Sequence, residues 1–120
     1  MSVKWIIEYF ESSTGNKPVE EFINSLEEKA QVKIFRTFEL LEEFGIRLGL
    51  PHVKKLTGTS LWELRILGSD SIRIFYIAKE QQTFLLLHAI KKKTQKTEKK
   101  EIKIANERLN EFLNEKKKKK

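Results

Sequence analysis

The sequence predicts an α+β domain of order β-α-α-β-β-β-α, an antiparallel sheet with a helical hairpin packed on one face. Three observations predict it. Apolar residues recur at helical spacing between Pro18 and Gly45. Three short apolar segments follow between Leu61 and Ile90, joined by links too short for anything but antiparallel neighbours. A last amphipathic segment begins after Thr97.

Val3 to Phe10 is apolar and aromatic with Lys4 and Glu8 interspersed, which reads as a first strand. Ser12 to Asn16 is a loop. Pro18 suits the first turn of a helix, and Glu20 and Glu21 suit the positive end of its dipole. Phe22, Ile23 and Leu26 give that helix its apolar stripe. In the second helix Ala30, Ile34, Phe38 and Leu41 form the stripe, Phe35 and Phe44 widen it, and Gly45 ends it. Gly49 to Ser60 is rich in turn residues and reads as a loop. Strands are then expected over Leu61–Leu67, Ser71–Ala78 and Thr83–Ile90, with turns at Gly68-Ser69-Asp70 and Lys79–Gln82. From Glu98 to Glu115, Ile102, Ala105, Leu109 and Phe112 mark a helix with Thr97 as its N-cap. One domain is expected over residues 1–115, with the lysine run 116–120 as a disordered tail.

Composition removes several chemistries. The 120 residues include no Cys, so disulfide scaffolds, thiolate zinc sites and cysteine nucleophiles are excluded. Of the 17 acidic residues only Asp70 is an aspartate, and His52 and His88 lie far apart in sequence. No short cluster has metal-ligand spacing, so neither a metal nor a cofactor is expected. The five glycines are scattered singly, so no phosphate-binding loop is present. No apolar run approaches the ~18 residues of a membrane span, and the N-terminus reaches Glu8 too early for a signal peptide. A cytoplasmic protein without membrane contact is the expectation.

The formal net charge is +7, and it is unevenly placed. Residues 91–120 hold 13 basic and 5 acidic side chains, whereas residues 1–90 are nearly balanced. A basic end points to a polyanionic partner. Arg65 and Arg73 fall in the middle of two neighbouring strands, where a guanidinium is unusual in a pure core. Side chains alternate along a strand, so the two can share one face and offer two forks to a phosphate. The alternative is structural ion pairing with Glu63. His88, just before Lys91, Lys92 and Lys93, is a candidate for proton transfer at the rim of a basic groove, since an imidazole titrates near pH ~6.5. Tyr76 is a candidate to stack on a base, and Lys54 and Lys55 to extend the groove. His52 reads as a loop residue without chemistry.

These residues resemble a known family. Gly49-Leu50-Pro51, Lys54-Lys55-Leu56, Leu61-Trp62-Glu63-Leu64-Arg65, Arg73-Ile74-Phe75-Tyr76, Leu86-Leu87-His88 and Lys91 to Thr97 stand in the order found in phage-derived HigB-like toxins of the RelE/ParE superfamily. The resemblance runs from Val3 to about Leu109. It implies the RelE/ParE-like fold and a toxin neutralised by a cognate antitoxin, commonly of helix-turn-helix type. It implies a messenger-RNA endoribonuclease working at the ribosome, with Arg65, Arg73, His88 and Lys92 as catalytic candidates. Lys54, Lys55, Tyr76, Lys91 and Lys93 become candidates for holding RNA. Glu63 stands where relatives can carry a basic residue. The superfamily also contains gyrase-directed and non-catalytic members, so both alternatives remain open at this point.

Overall fold

Pro18 opens the first helix as its first residue, with Glu20 and Glu21 in the opening turn. In the computed structural model, which describes residues 4–68, 71–92 and 99–118, that helix is α1 (Pro18–Asn24). It follows strand β1 (Ile6–Tyr9) and precedes α2 (Glu28–Phe44). The remaining elements are β2 (Val53–Lys55), β3 (Trp62–Ile66), β4 (Ile72–Lys79), β5 (Thr83–Lys91) and α3 (Lys99–Lys118). The expected N-cap Thr97, the turn residues Ser69 and Asp70, and Val3 lie outside the described residues.

The five strands form one sheet in the order β1-β5-β4-β3-β2. β3, β4 and β5 make the expected antiparallel meander. One strand departs from an all-antiparallel sheet, and another was not expected as a strand. β1 lies parallel to β5, with Ile6 opposite Thr83 and Tyr9 opposite Leu86. β2 adds an edge antiparallel to β3. Its three residues sit inside the turn-rich segment read as a loop, too short to show an alternating pattern.

The two sheet faces carry separate cores. On the first, Ile34, Phe38 and Leu41 of α2 and Val19 and Ile23 of α1 pack on Leu64, Ile74, Tyr76, Phe84 and Leu86. This is the expected hairpin layer, with two corrections. Phe35 and Phe44 do not widen the buried stripe; they are 44% and 43% exposed. Phe22 is only partly buried at the margin of this core. On the second face Ala105, with Ile102, Leu109 and Phe112 beside it, packs α3 onto Phe75, Leu85 and Leu87. The helix continues to Lys118, into the lysine run read as a tail, and Lys116 Nζ lies 3.6 Å from Glu80 Oε2.

Gly45 caps α2 with φ +59°, a conformation that disfavours a side chain. Space requires glycine there as well: a Cβ would fall 2.3 Å from Trp5 Nε1. Trp5 itself stacks on Phe84 with ring centroids 4.3 Å apart, so this close approach ties the end of α2 to the sheet.

Candidate nucleic-acid interface

Strand alternation sorts the charged side chains. Leu64 and Ile66 of β3 enter the hairpin core, so Glu63 and Arg65 face the other way. Ile72, Ile74 and Tyr76 do the same in β4, which leaves Arg73 and Phe75 on the second face. Arg65 and Arg73 are directly opposite partners across the β3–β4 ladder. Lys54 of β2 is opposite Glu63 and shares that face. The two central arginines are thus brought together as the alternation requires.

Glu63 occupies the centre of the group. It is 1% exposed. Its Oε1 accepts a hydrogen bond from Arg65 Nε at 3.2 Å and lies 3.6 Å from Arg73 Nε. Arg73 Nη1 donates to the Ile72 carbonyl at 3.1 Å. Its Nε is buried and stops just short of a hydrogen bond. The ion pairing with Glu63 considered as the alternative is therefore present, and it coexists with the pairing of the two arginines. Both guanidinium groups keep some solvent access, with side chains 26% and 17% exposed.

Lys92 belongs to the same group. Its backbone N–H donates to Ser71 O at 2.6 Å, extending the β4–β5 ladder past its last paired strand residue. Its pKa is lowered, first by burial and then by Arg73, Arg65 and Lys54, while Glu63 opposes the shift. Arg73 is shifted down as well, by burial and by Arg65, against the pull of Glu63. Burial is the larger cause for both groups, and among the charges the pull of Glu63 outweighs the push of any one neighbouring cation.

Other candidates fall elsewhere. Lys55 points to the first face, where its Nζ lies 5.5 Å from the Trp62 ring centroid and donates to the Thr59 carbonyl. Tyr76 is 3% exposed in the hairpin core, edge-on to Phe84, and burial raises its pKa. It cannot stack on a base. Lys91 is exposed opposite Ile72, on the first-face parity. Lys93 lies outside the described residues.

His88 is not a free base. A register irregularity between Phe75 and Tyr76 pairs Phe75 with His88 but Tyr76 with Leu86, leaving Leu87 as the extra residue. The bulge turns His88 onto the second face beside Phe75, with ring centroids 5.8 Å apart. There α3 takes both of its nitrogens. Arg108 Nη1 donates to the Leu87 carbonyl at 2.8 Å and lies 3.1 Å from His88 Nδ1. Guanidinium only donates, so Nδ1 accepts and the neutral ring carries its proton on Nε2. That proton goes to Glu101 Oε1 at 2.8 Å. Burial lowers the His88 pKa, Arg108 lowers it further, and Glu101 opposes both. His88 also stands two strands from Glu63, roughly 10 Å away at the usual strand spacing.

Glu101 and Arg108 escaped the sequence reading. They are seven apart, on the helix face that also carries Ile102, Ala105 and Leu109, and that spacing was the available signal. His52, read as inert, lies beside the site: its carbonyl accepts from the Arg65 N–H at 2.7 Å, and its Nδ1 is buried without a hydrogen-bond partner. Among the described residues no three His, Asp or Glu side chains are grouped to hold a metal ion.

The fold and this face define a class: a small α+β domain whose single sheet, covered by a hairpin on one side and by α3 on part of the other, presents a cationic cluster. The chain belongs to the Gp49-like family of phage-derived proteins (DUF891), whose model matches residues 21–110. That span runs from α1 into α3 and contains Lys54, Glu63, Arg65, Arg73 and Lys92. No curated protein matches the chain. No described helix is long and apolar enough to cross a membrane.

Proposed function

We propose that this protein is the toxin of a type II toxin–antitoxin module of the RelE/ParE superfamily, and that it cuts messenger RNA. The observation that carries the reading is the convergence of Lys54, Arg65, Arg73 and Lys92 on one sheet face. RNA brings its own nucleophile, the 2′-hydroxyl, which attacks the adjacent phosphate without a metal. The protein's task is to align that group, neutralise the pentavalent phosphate and accept a proton. Two guanidinium groups serve the phosphate, and fixed cations in a partly dry site stabilise such charge by several kcal/mol. With both His88 nitrogens engaged by Arg108 and Glu101, the proton-accepting role falls to Lys92, the cluster's lysine at the end of β5. The bond from phosphorus to the leaving 5′-oxygen breaks, and that oxygen takes a proton from water, leaving a 2′,3′-cyclic phosphate and a 5′-hydroxyl. The antitoxin, of helix-turn-helix type, covers the same basic face or locks the protein away from its target.

A second reading has its own support. With His88 held by Arg108 and Glu101 and Glu63 buried, the cluster is richer in phosphate-binding groups than in bases. That favours a module that grips RNA or the ribosome without cutting. Purified protein, translating ribosomes and mapping of RNA ends separate the two. The nuclease reading expects new 5′-hydroxyl ends, and about 10²-fold fewer of them with Arg65→Ala or Arg73→Ala. New 3′-hydroxyl ends count against 2′-hydroxyl attack, and binding without cuts selects the second reading.

A further inference from the structure

Glu63 is the anomaly of the cationic face. A carboxylate within a polyanion site subtracts charge, and on Coulomb grounds alone it weakens binding. Its geometry indicates a different task. It is 1% exposed, so it does not meet a ligand itself. A single oxygen, Oε1, faces the Nε of both arginines, at 3.2 Å and 3.6 Å. A guanidinium carries five N–H groups in a planar fork. A hydrogen bond through Nε leaves the outer N–H groups of Arg65 for another acceptor, whereas Arg73 is fixed by the bond from Nη1 to the Ile72 carbonyl with its Nε 3.6 Å from the same carboxylate oxygen. Arg65 and Arg73 are also cross-strand partners, and like charges directly opposite repel. A buried carboxylate between them offsets that repulsion.

We infer that Glu63 is a positioning residue that sets Arg65 and Arg73 as one clamp for a single phosphodiester group. The inference rests on the polyanion reading of this face and adds to it what the two arginines hold and what holds them. Lys54 and Lys92 then contribute charge around the clamp, whereas the paired forks contribute geometry.

Charge and geometry predict opposite signs, which makes the test sharp. Glu63→Gln is nearly isosteric and makes the protein more positive by one charge. If Glu63 only dilutes the field, the variant binds RNA more tightly. If it positions the arginines, binding weakens despite the added charge. The probe is a short 2′-O-methyl oligoribonucleotide, which cannot be cut, followed by fluorescence anisotropy at two salt concentrations. The expected result is about tenfold weaker binding for Glu63→Gln. With both arginines replaced by alanine, the same substitution is expected to leave binding unchanged or tighten it. A circular-dichroism melt establishes that each variant is folded. Should Glu63→Gln fail to fold, Arg65→Lys serves instead: it keeps the charge and loses the fork, and it is also expected to bind about tenfold more weakly. Equal or tighter binding by whichever variant folds overturns the clamp. A tenfold loss by Glu63→Gln that persists with both arginines gone also overturns it. Wild-type protein that grips the oligonucleotide but leaves messages uncut retires the nuclease reading alone.

Discussion

Arg108→Ala is the perturbation that best tests how α3 is fastened to the sheet. Arg108 Nη1 serves two acceptors, the carbonyl of the bulged Leu87 at 2.8 Å and His88 Nδ1 at 3.1 Å. A hydrogen bond from a charged donor is worth about 1.5–3 kcal/mol net. One nitrogen shared between two acceptors, in a half-buried setting that water can re-enter, supports about one such bond, so the expected cost is ~2 kcal/mol. For a domain of this size that lowers Tm by roughly 6–10 °C. The substitution also changes the response to pH. In the wild type the folded-state pKa of His88 lies below its ordinary 6.5, through burial first and Arg108 next. Between the two values the unfolded chain binds a proton that the folded one refuses. Stability is therefore complete above pH 6.5 and declines as pH falls below it. Removing Arg108 takes away one cause of the depression and leaves Glu101, so the decline shrinks. Thermal melts of both proteins at about pH 7.5 and 5.5 read both effects, in a window above the carboxylate titrations. An unchanged Tm, or a decline on acidification as large as in the wild type, would refute the linkage.

Three further outcomes are expected. Phe75→Ala, at a fully buried position beneath α3, costs ~3–5 kcal/mol, whereas Phe35→Ala on the exposed side of α2 stays within about 0.5 kcal/mol; urea denaturation compares them. Lys54→Ala reduces the salt dependence of RNA binding by about one charge, and Lys55→Ala, on the opposite face, leaves the slope unchanged; titrations over a salt series decide it. Gly45→Ala costs at least about 2 kcal/mol because the added Cβ meets the Trp5 indole at a positive φ; a melt near wild-type Tm counts against that packing.

The meander and the hairpin were legible because their signals are local. Stripe residues such as Ile34, Phe38 and Leu41 repeat at helical spacing, and Ile74 and Tyr76 alternate with Arg73 and Phe75. The pairing of Arg65 with Arg73 followed from the same alternation. What stayed hidden is non-local. The parallel match of β1 to β5 depends on a partner far along the chain, and no local pattern marks it. The bulge at Leu87 reverses the parity of His88, so a residue that counts onto one face stands on the other. Phe35 and Phe44 are apolar and helical yet exposed, since hydrophobicity alone does not say where a stripe ends. Lys55 and Tyr76 were placed at the site by nearness in sequence, and alternation sends both to the hairpin side. Glu63 read as a lost positive charge because its burial beneath two guanidinium groups is a tertiary fact.

The parallel pairing of β1 with β5 bears on how the chain is made. A ribosome releases Ile6 to Tyr9 early, yet their hydrogen-bonding partners, Thr83 to Leu86, emerge only after both hairpin helices and three more strands. Long-range pairing of this kind raises contact order and delays the folding barrier until late in synthesis. The second core closes later still, because Phe75, Leu85 and Leu87 have no cover until α3 leaves the tunnel. A nascent chain stalled before that point displays an unpaired strand and a bare apolar sheet, the kind of surface chaperones and proteases select. Cooperative folding is thus postponed until α3 is released, because the β1–β5 pairing and the second core both wait on residues that follow β4.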